Sequence, residues 1–426
     1  MPNADNKTTK IVLNGEARIT FIQMNVRFGG RIAAAAALAA ALCSLPLRAD
    51  EVGMDPRLRE FEEYFQANVV PRVPGAALAV VADGQVQLLK SYGIRKADAS
   101  EPVTKDTVFR LASVSKSFAA AAAGILVRKQ LLEWDMKINS RLDINFKNPD
   151  YGRQITLRNV LSHSTGLVQH AYTDLVEENV PYNDIIVRLK DVDFICPPGK
   201  CYTYQNVVFS LTGDVIESVT GESYEDFVRE NLFQPLGMGT ASIGWRSFYA
   251  SANRATPHVK RNQRWLPVNV KPNYYSVAPA AGVNASINDM KQWLLAQLGK
   301  RPDVLPTPTL KEMQSPAVRT TPYQAHYKNR KELGEVGYGL GWRVFDYGAT
   351  KNFVHHGGYV QGMVSEIIFN RDLQMGMVFL TNSDVSFAGD LVFKFLEIYQ
   401  TSGATPPSNA GTPAPSRHVS IAHNTN

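Results

Sequence analysis

Residues 109–129 read FRLASVSKSFAAAAAGILVRK. The segment passes through Ser113-Val114-Ser115-Lys116 and continues as an Ala-rich apolar run, which predicts a buried helix over 115–129. Ser113 then stands at the helix start and Lys116 one turn on, so their side chains share a face. The positive end of the helix favours negative charge developing near Ser113. A serine hydroxyl is a weak nucleophile without a base, and a neighbouring lysine can take its proton when neutral. The pattern S-x-x-K is short. A capping serine followed by an exposed lysine would give the same letters, so its weight rests on the rest of the chain.

Upstream, Leu58, Phe61, Phe65 and Val69 recur at helical spacing, and two apolar runs, 76–82 and 85–91, flank Asp83-Gly84. That pair is a strong hairpin signal. Residues 130–290 read as mainly helical and loop-rich, with a helix over 289–298 capped by Asn288 or Asp289. Strand patterns return at 341–345, 353–356, 363–370 and 375–381, and an apolar helix closes at 390–399. Strands at both ends with helices between predict one α+β unit: an antiparallel sheet flanked by helices, plus an all-helical region. It would occupy residues 50–400, and the Gly/Pro/Ser/Thr/Asn-rich 401–426 predicts a disordered tail.

The 426 residues are 44% hydrophobic and 20% charged, and the net charge is +6. Lys and Arg are scattered without a long run, which describes a solvated surface and gives no reason to expect a nucleic-acid partner. Residues 1–49 read as an upstream extension and a signal peptide. Met24 offers a second start, Arg27 and Arg31 are basic, 32–45 is Ala/Leu-rich, and Leu47-Arg48-Ala49 suits cleavage. The apolar run is too short for a comfortable membrane span. Export to the periplasm or medium is the expectation, with no transmembrane segment in the mature chain and a monomeric state. Of three cysteines, Cys43 lies in the leader; Cys196 and Cys201, in CPPGKC, form a predicted disulfide.

Two further segments carry chemistry. Tyr204-Gln205-Asn206 follows Pro198-Gly199 and opens the apolar stretch 207–216. Its phenol can relay a proton, and its amide can hold a substrate carbonyl or the lysine; a core tyrosine beside a turn asparagine is the plainer alternative. His356-Gly357-Gly358 follows a predicted strand, and its glycines admit a ligand close to the backbone. The N–H of Tyr359 could then join that of Ser113 as an oxyanion hole; a glycine turn between strands is the alternative. Adjacent His355 and His356 would point to opposite faces of a strand, so one metal ion is not expected to take both. No H-E-x-x-H or other zinc spacing occurs. No cofactor is called for. His163, in Ser162-His163-Ser164, reads as a loop brace.

Ser113-x-x-Lys116, Tyr204-x-Asn206 and His356-Gly357-Gly358, in that order, resemble the three motifs of class C β-lactamases, related DD-peptidases and family VIII esterases. TLRNVLSHSTGL (156–167), GESYEDFVRENLFQPLGMGT (221–240), GVNASINDMKQW (282–293), YGLGW (338–342) and HHGGYVQG (355–362) extend the resemblance over about residues 55–400. It implies a β-lactamase/transpeptidase-like fold with the active site between sheet and helical region. It implies acylation of Ser113, a base role shared by Lys116 and Tyr204, and substrate contact by Asn206. The implied activity is hydrolysis of a β-lactam amide, or else of an ester or a D-amino-acid peptide; a penicillin-recognising sensor that acylates without turnover is a further alternative. The substrate partner is a small molecule or peptide. The third motif departs from the β-lactamase pattern: His356 stands where K-T-G carries a lysine. A lysine there would pair with a substrate carboxylate, whereas an unperturbed histidine is mostly neutral at pH 7.

Overall fold

The structure, a computed structural model, describes residues 55–328 and 330–401. The leader over 24–49 and nearly all of the tail expected from 401 lie outside those residues. Eight strands form one antiparallel sheet: β1 (Gly75–Ala82), β2 (Gln85–Gly93), β3 (Val318–Arg319), β4 (Leu333–Tyr338), β5 (Arg343–Tyr347), β6 (Thr350–Val360), β7 (Met363–Asn370) and β8 (Met375–Thr381). Their order is β2-β1-β8-β7-β6-β5-β4-β3. The chain therefore begins the sheet, leaves it for over two hundred residues, and returns to complete it, as the separated strand patterns required.

Five helices give the sheet its two covers: α1 (Pro56–Asn68), α2 (Ser115–Arg128), α3 (Asn206–Thr220), α4 (Ile287–Gln297) and α5 (Ala388–Thr401). Alternation along β1 divides the core. Ala76, Leu78, Val80 and Ala82 face α1 and α5, with Phe61 against Phe395 at 5.1 Å between ring centroids. Ala77, Ala79 and Val81 face the core built on α2, α3 and α4, where Phe118 stacks on Trp293 at 3.9 Å. Being covered on both faces, β1 needs a continuous apolar run. Asp83 and Gly84 both take positive φ, 52° and 70°, in the expected hairpin turn.

Several boundaries differ from the sequence reading. α4 begins two residues earlier, at Ile287. Ser286 Oγ accepts from Asp289 N at 3.2 Å while the Asp289 carboxylate accepts from Ser286 N at 2.9 Å, a capping box that makes Ser286 the cap. The strand expected at 341–345 starts at Arg343, because Gly341 bends at φ 72° against α2. β6 does not stop at the glycines: Gly357 and Gly358 pair with Glu366 and Ser365 inside the ladder, so there is no glycine turn. The stretch 130–290 is not purely helical. It holds the hairpin His258–Arg261/Arg264–Pro267, and its strands Ser242–Ile243 and Val283–Ala285 pair into a small sheet with Phe109–Arg110. β4, with its Gly334 and Gly337, carried no strand signal in the sequence. Among the described residues no helix is long and apolar enough to cross a membrane.

Candidate active site

Ser113 occupies a 3-10 turn (Ala112–Val114) that runs directly into α2. Ala112, buried and without a glycine's freedom, is held at φ 47°, a conformation that costs energy and persists where surrounding structure fixes it. The surroundings do so here: Ser365 Oγ donates to Leu111 O at 2.7 Å, and Val283 N donates to Ser115 Oγ at 2.9 Å.

Four of the predicted side chains, Ser113, Lys116, Tyr204 and Asn206, converge on one another. Lys116 Nζ donates to Ser113 Oγ (3.2 Å), Asn206 Oδ1 (2.8 Å) and Ala280 O (3.0 Å), and lies over the Tyr204 ring at 4.6 Å. Tyr204 OH donates to Ser113 Oγ at 2.8 Å. Asn206 and Ala280 fix two N–H directions of Lys116, and the remaining tetrahedral direction meets Ser113. In a neutral amine that direction holds the lone pair. Lys116 is completely buried; desolvation, with the Arg343 charge adding, holds its pKa well below the ordinary lysine value. Burial raises the Tyr204 phenol, and Arg343 and the Ser113 hydrogen bond oppose that rise.

The Tyr204 segment is held from behind. His163, at φ 56°, accepts from Gln205 N through Nδ1 at 3.2 Å, and its ring packs on Tyr204 at 4.2 Å. Thr203 N donates to His163 O at 2.7 Å, and Gly199 N donates to Ser164 O at 2.7 Å. His163 is the brace its position indicated; burial keeps it neutral. Cys196 and Cys201 are disulfide-bonded, and the Cys196 carbonyl passes so close to Gly166 that a Cβ there would lie 2.2 Å away. The cross-linked loop is thereby locked against the segment that carries His163.

The third motif lies beside Ser113. A Cβ on Gly358 would fall 2.1 Å from Leu111 O and 3.1 Å from Ser113 N, so only glycine lets β6 approach the Ser113 backbone this closely. Tyr359 is exposed, and its hydroxyl donates to Asp384 Oδ2 at 3.1 Å. His356 does not present its ring to the cleft. It is wholly buried, Nε2 and Nδ1 are engaged by Tyr338 OH (2.9 Å) and Gly357 O (2.8 Å), and burial, with Arg343 and Lys116, pushes its pKa well below the histidine value. His356 thus packs and hydrogen-bonds inside the protein and offers no cation to the cleft, in line with the neutrality expected of a histidine at this position. His355 points the other way, to Tyr327 OH and Glu366, each at 2.8 Å. Among the described residues no group of three or more His, Cys, Asp or Glu side chains could hold a metal ion.

Sequence reasoning missed Ala280, Ser115 and Arg343. Ala280 acts through its carbonyl, which no side-chain pattern reveals. Arg343 directly follows YGLGW, a segment noted only as flanking, and nothing in its letters marked it as buried.

The family model described as Beta-lactamase matches residues 61–396. The chain is 27% identical over 359 residues to Unguisins hydrolase ungD' of Aspergillus campestris, covering 80% of this chain and 65% of that one. It is 24% identical over 328 residues to Protein flp of Staphylococcus aureus, covering 75% and 62%. The chain thus spans somewhat under two thirds of these relatives' length. The octameric penicillin-binding protein homologue from Pyrococcus abyssi superposes with a TM-score of 0.71 at 22% identity, covering 80% of this chain and 77% of that one, a likeness of fold.

Proposed function

The chain belongs to the beta-lactamase family of serine hydrolases, and from that premise we propose that it cleaves an ester or amide carbonyl through an acyl-enzyme on Ser113. The observation that carries this reading is the contact of one hydroxyl with two candidate bases, Lys116 Nζ at 3.2 Å and Tyr204 OH at 2.8 Å. In the first half-reaction Ser113 Oγ attacks the carbonyl carbon and its proton passes to neutral Lys116. The backbone N–H of Ser113 and that of Tyr359 receive the developing oxyanion. The C–O or C–N bond then breaks, and the proton reaches the leaving group through Tyr204. In the second half-reaction water replaces the leaving group, the proton path reverses, and Ser113 is restored. Asn206 holds Lys116 in register rather than acting on the substrate alone.

Within this chemistry, the neutral, enclosed His356 supports uncharged esters and peptide amides over substrates held by a carboxylate, the β-lactam ring amide being the second candidate. A relative named as an unguisins hydrolase supports the hydrolytic reading over that of a sensor. The test is turnover of a nitrophenyl ester and of a chromogenic β-lactam by the purified protein, together with Ser113→Ala. We expect multiple turnovers of the ester, weaker turnover of the β-lactam, and loss of activity and of fluorophosphonate labelling in the variant, by a factor of at least about 10³. A single stoichiometric burst on every substrate would instead mark a sensor, and near-normal turnover by Ser113→Ala would sink the mechanism.

A further inference from the structure

A cation lies behind the catalytic cluster that the acylation steps do not use. Arg343 opens β5, and its backbone pairs with Tyr338 of β4 and His355 of β6. The residue is 7% exposed, and its buried Nε has no hydrogen-bond partner among the described residues. Its strand partner His355 is engaged with the carboxylate of Glu366. The charge of Arg343 acts instead on four phenols, those of Tyr202, Tyr204, Tyr327 and Tyr338. A path of packed rings leads from its strand partner Tyr338 to the site. Tyr338 meets His163 at 4.9 Å, and His163 meets Tyr204 at 4.2 Å. Its placement is tied to the nucleophile's helix as well. Gly341, two residues before it, has a backbone so close to α2 that a Cβ would lie 2.5 Å from Lys116 O, and Gly341 N donates to Leu161 O at 2.9 Å.

We propose that Arg343 is a positioning residue for acylation: a fixed cation behind Tyr204 and Lys116 that disfavours a second positive charge on Lys116 and favours negative charge on the Tyr204 oxygen. The third motif cannot supply that charge, since His356 is enclosed and neutral. The other titratable groups around the pair are neutral at pH 7: His163 and His170 by burial, Tyr202, Tyr274 and Tyr338 as phenols. A buried guanidinium keeps its charge where an amine or imidazole would lose it. Without it, Lys116 would protonate at higher pH and Tyr204 would ionise less readily. Both changes remove the active form from the same side of the pH scale.

This inference rests on the acyl-enzyme reading, and the two can fail separately. The rate of Ser113 labelling by a fluorophosphonate, measured from pH 5 to 10, needs no knowledge of the natural substrate. In the wild-type protein labelling should fall as pH drops and Lys116 protonates. Arg343→Met should move that acidic limb upward by about one pH unit, so labelling below the limb is about tenfold slower, while the plateau at high pH changes little. Arg343→Lys should leave the limb displaced much as Arg343→Met does, because a buried amine loses the charge that the guanidinium keeps. Should Arg343→Met fail to fold by circular dichroism, Arg343→Gln is the charge-free variant. A folded charge-free variant whose limb stays in place, or one whose rate drops equally at every pH, overturns the role of Arg343. No labelling of wild-type Ser113 at any pH overturns the acyl-enzyme reading and this inference with it.

Discussion

At the scale of single residues, the site works by withholding charge from groups that ordinarily carry it. Lys116 is buried among acceptors, and His356 is enclosed with both ring nitrogens engaged. A lysine at position 356 would therefore not restore a K-T-G anchor. It would place a second cation in the field of Arg343, with Tyr338 as the partner left from the histidine. His356→Lys is expected to cost at least about 3 kcal/mol, the range for an uncompensated buried charge, without a gain in preference for anionic over neutral substrates. Urea unfolding and kcat/KM for one β-lactam and one neutral ester check both parts. In the wild type, KM for the anionic substrate should stay flat from pH 6 to 8, because His356 does not gain its proton in that window.

At the scale of elements, α3 joins the site to a titrating group. Its first residue, Asn206, holds Lys116; two turns on, the partly buried Asp214 accepts from Tyr182 OH at 2.7 Å. Burial raises Asp214 from 3.8 to about 6, against the lowering effect of that hydrogen bond. Between those values the folded protein keeps a proton that the unfolded chain has released, so stability falls as pH rises from 4 to 6. The full loss is about 3 kcal/mol. Asp214→Asn should remove this slope and unfold at higher urea than wild type at pH 7, while matching it near pH 4. Denaturation at pH 4.5 and 7.5 decides the matter; an unchanged slope in the variant would mean the carboxyl is charged throughout.

At the scale of the molecule, the groups of the proposed acylation site come from three places that meet only because the chain leaves the sheet after β2 and rejoins it at β3. The turn Ala112–Val114 and the start of α2 bring Ser113 and Lys116, the loop before α3 brings Tyr204, and β6 brings the glycines. The seam between sheet and helical region is tight at Gly358, with Leu111 O and Ser113 N on the far side. Gly358→Ala should cost about 1–3 kcal/mol by overpacking and slow Ser113 labelling at least about tenfold by displacing the nucleophile's N–H. Gly239→Ala, where a Cβ would meet nothing within 4 Å, serves as the control and should leave both unchanged. Thermal unfolding and labelling rates of the two variants separate a seam effect from a general loss of glycine.

Much of this arrangement was legible in the letters. Two apolar runs flanking Asp83-Gly84 specified the first hairpin, an Ala-rich run specified α2, and the i, i+3 spacing put Ser113 and Lys116 on one face. The pairing of Cys196 with Cys201 followed from their number and nearness. These features are local, and local spacing is what sequence records. The ladder that runs through Gly357 and Gly358 was not legible, because glycine reads as a turn unless a close neighbour demands it, and that neighbour, Ser113, is more than two hundred residues away. Nor was the charge state of His356, which depends on Tyr338 enclosing it, or the place of Arg343, whose burial among phenols is assembled from β4, β5, β6 and the Tyr204 loop. The sequence determined which groups could do chemistry; burial and long-range packing decided which of them are charged, and that is a property no single segment holds.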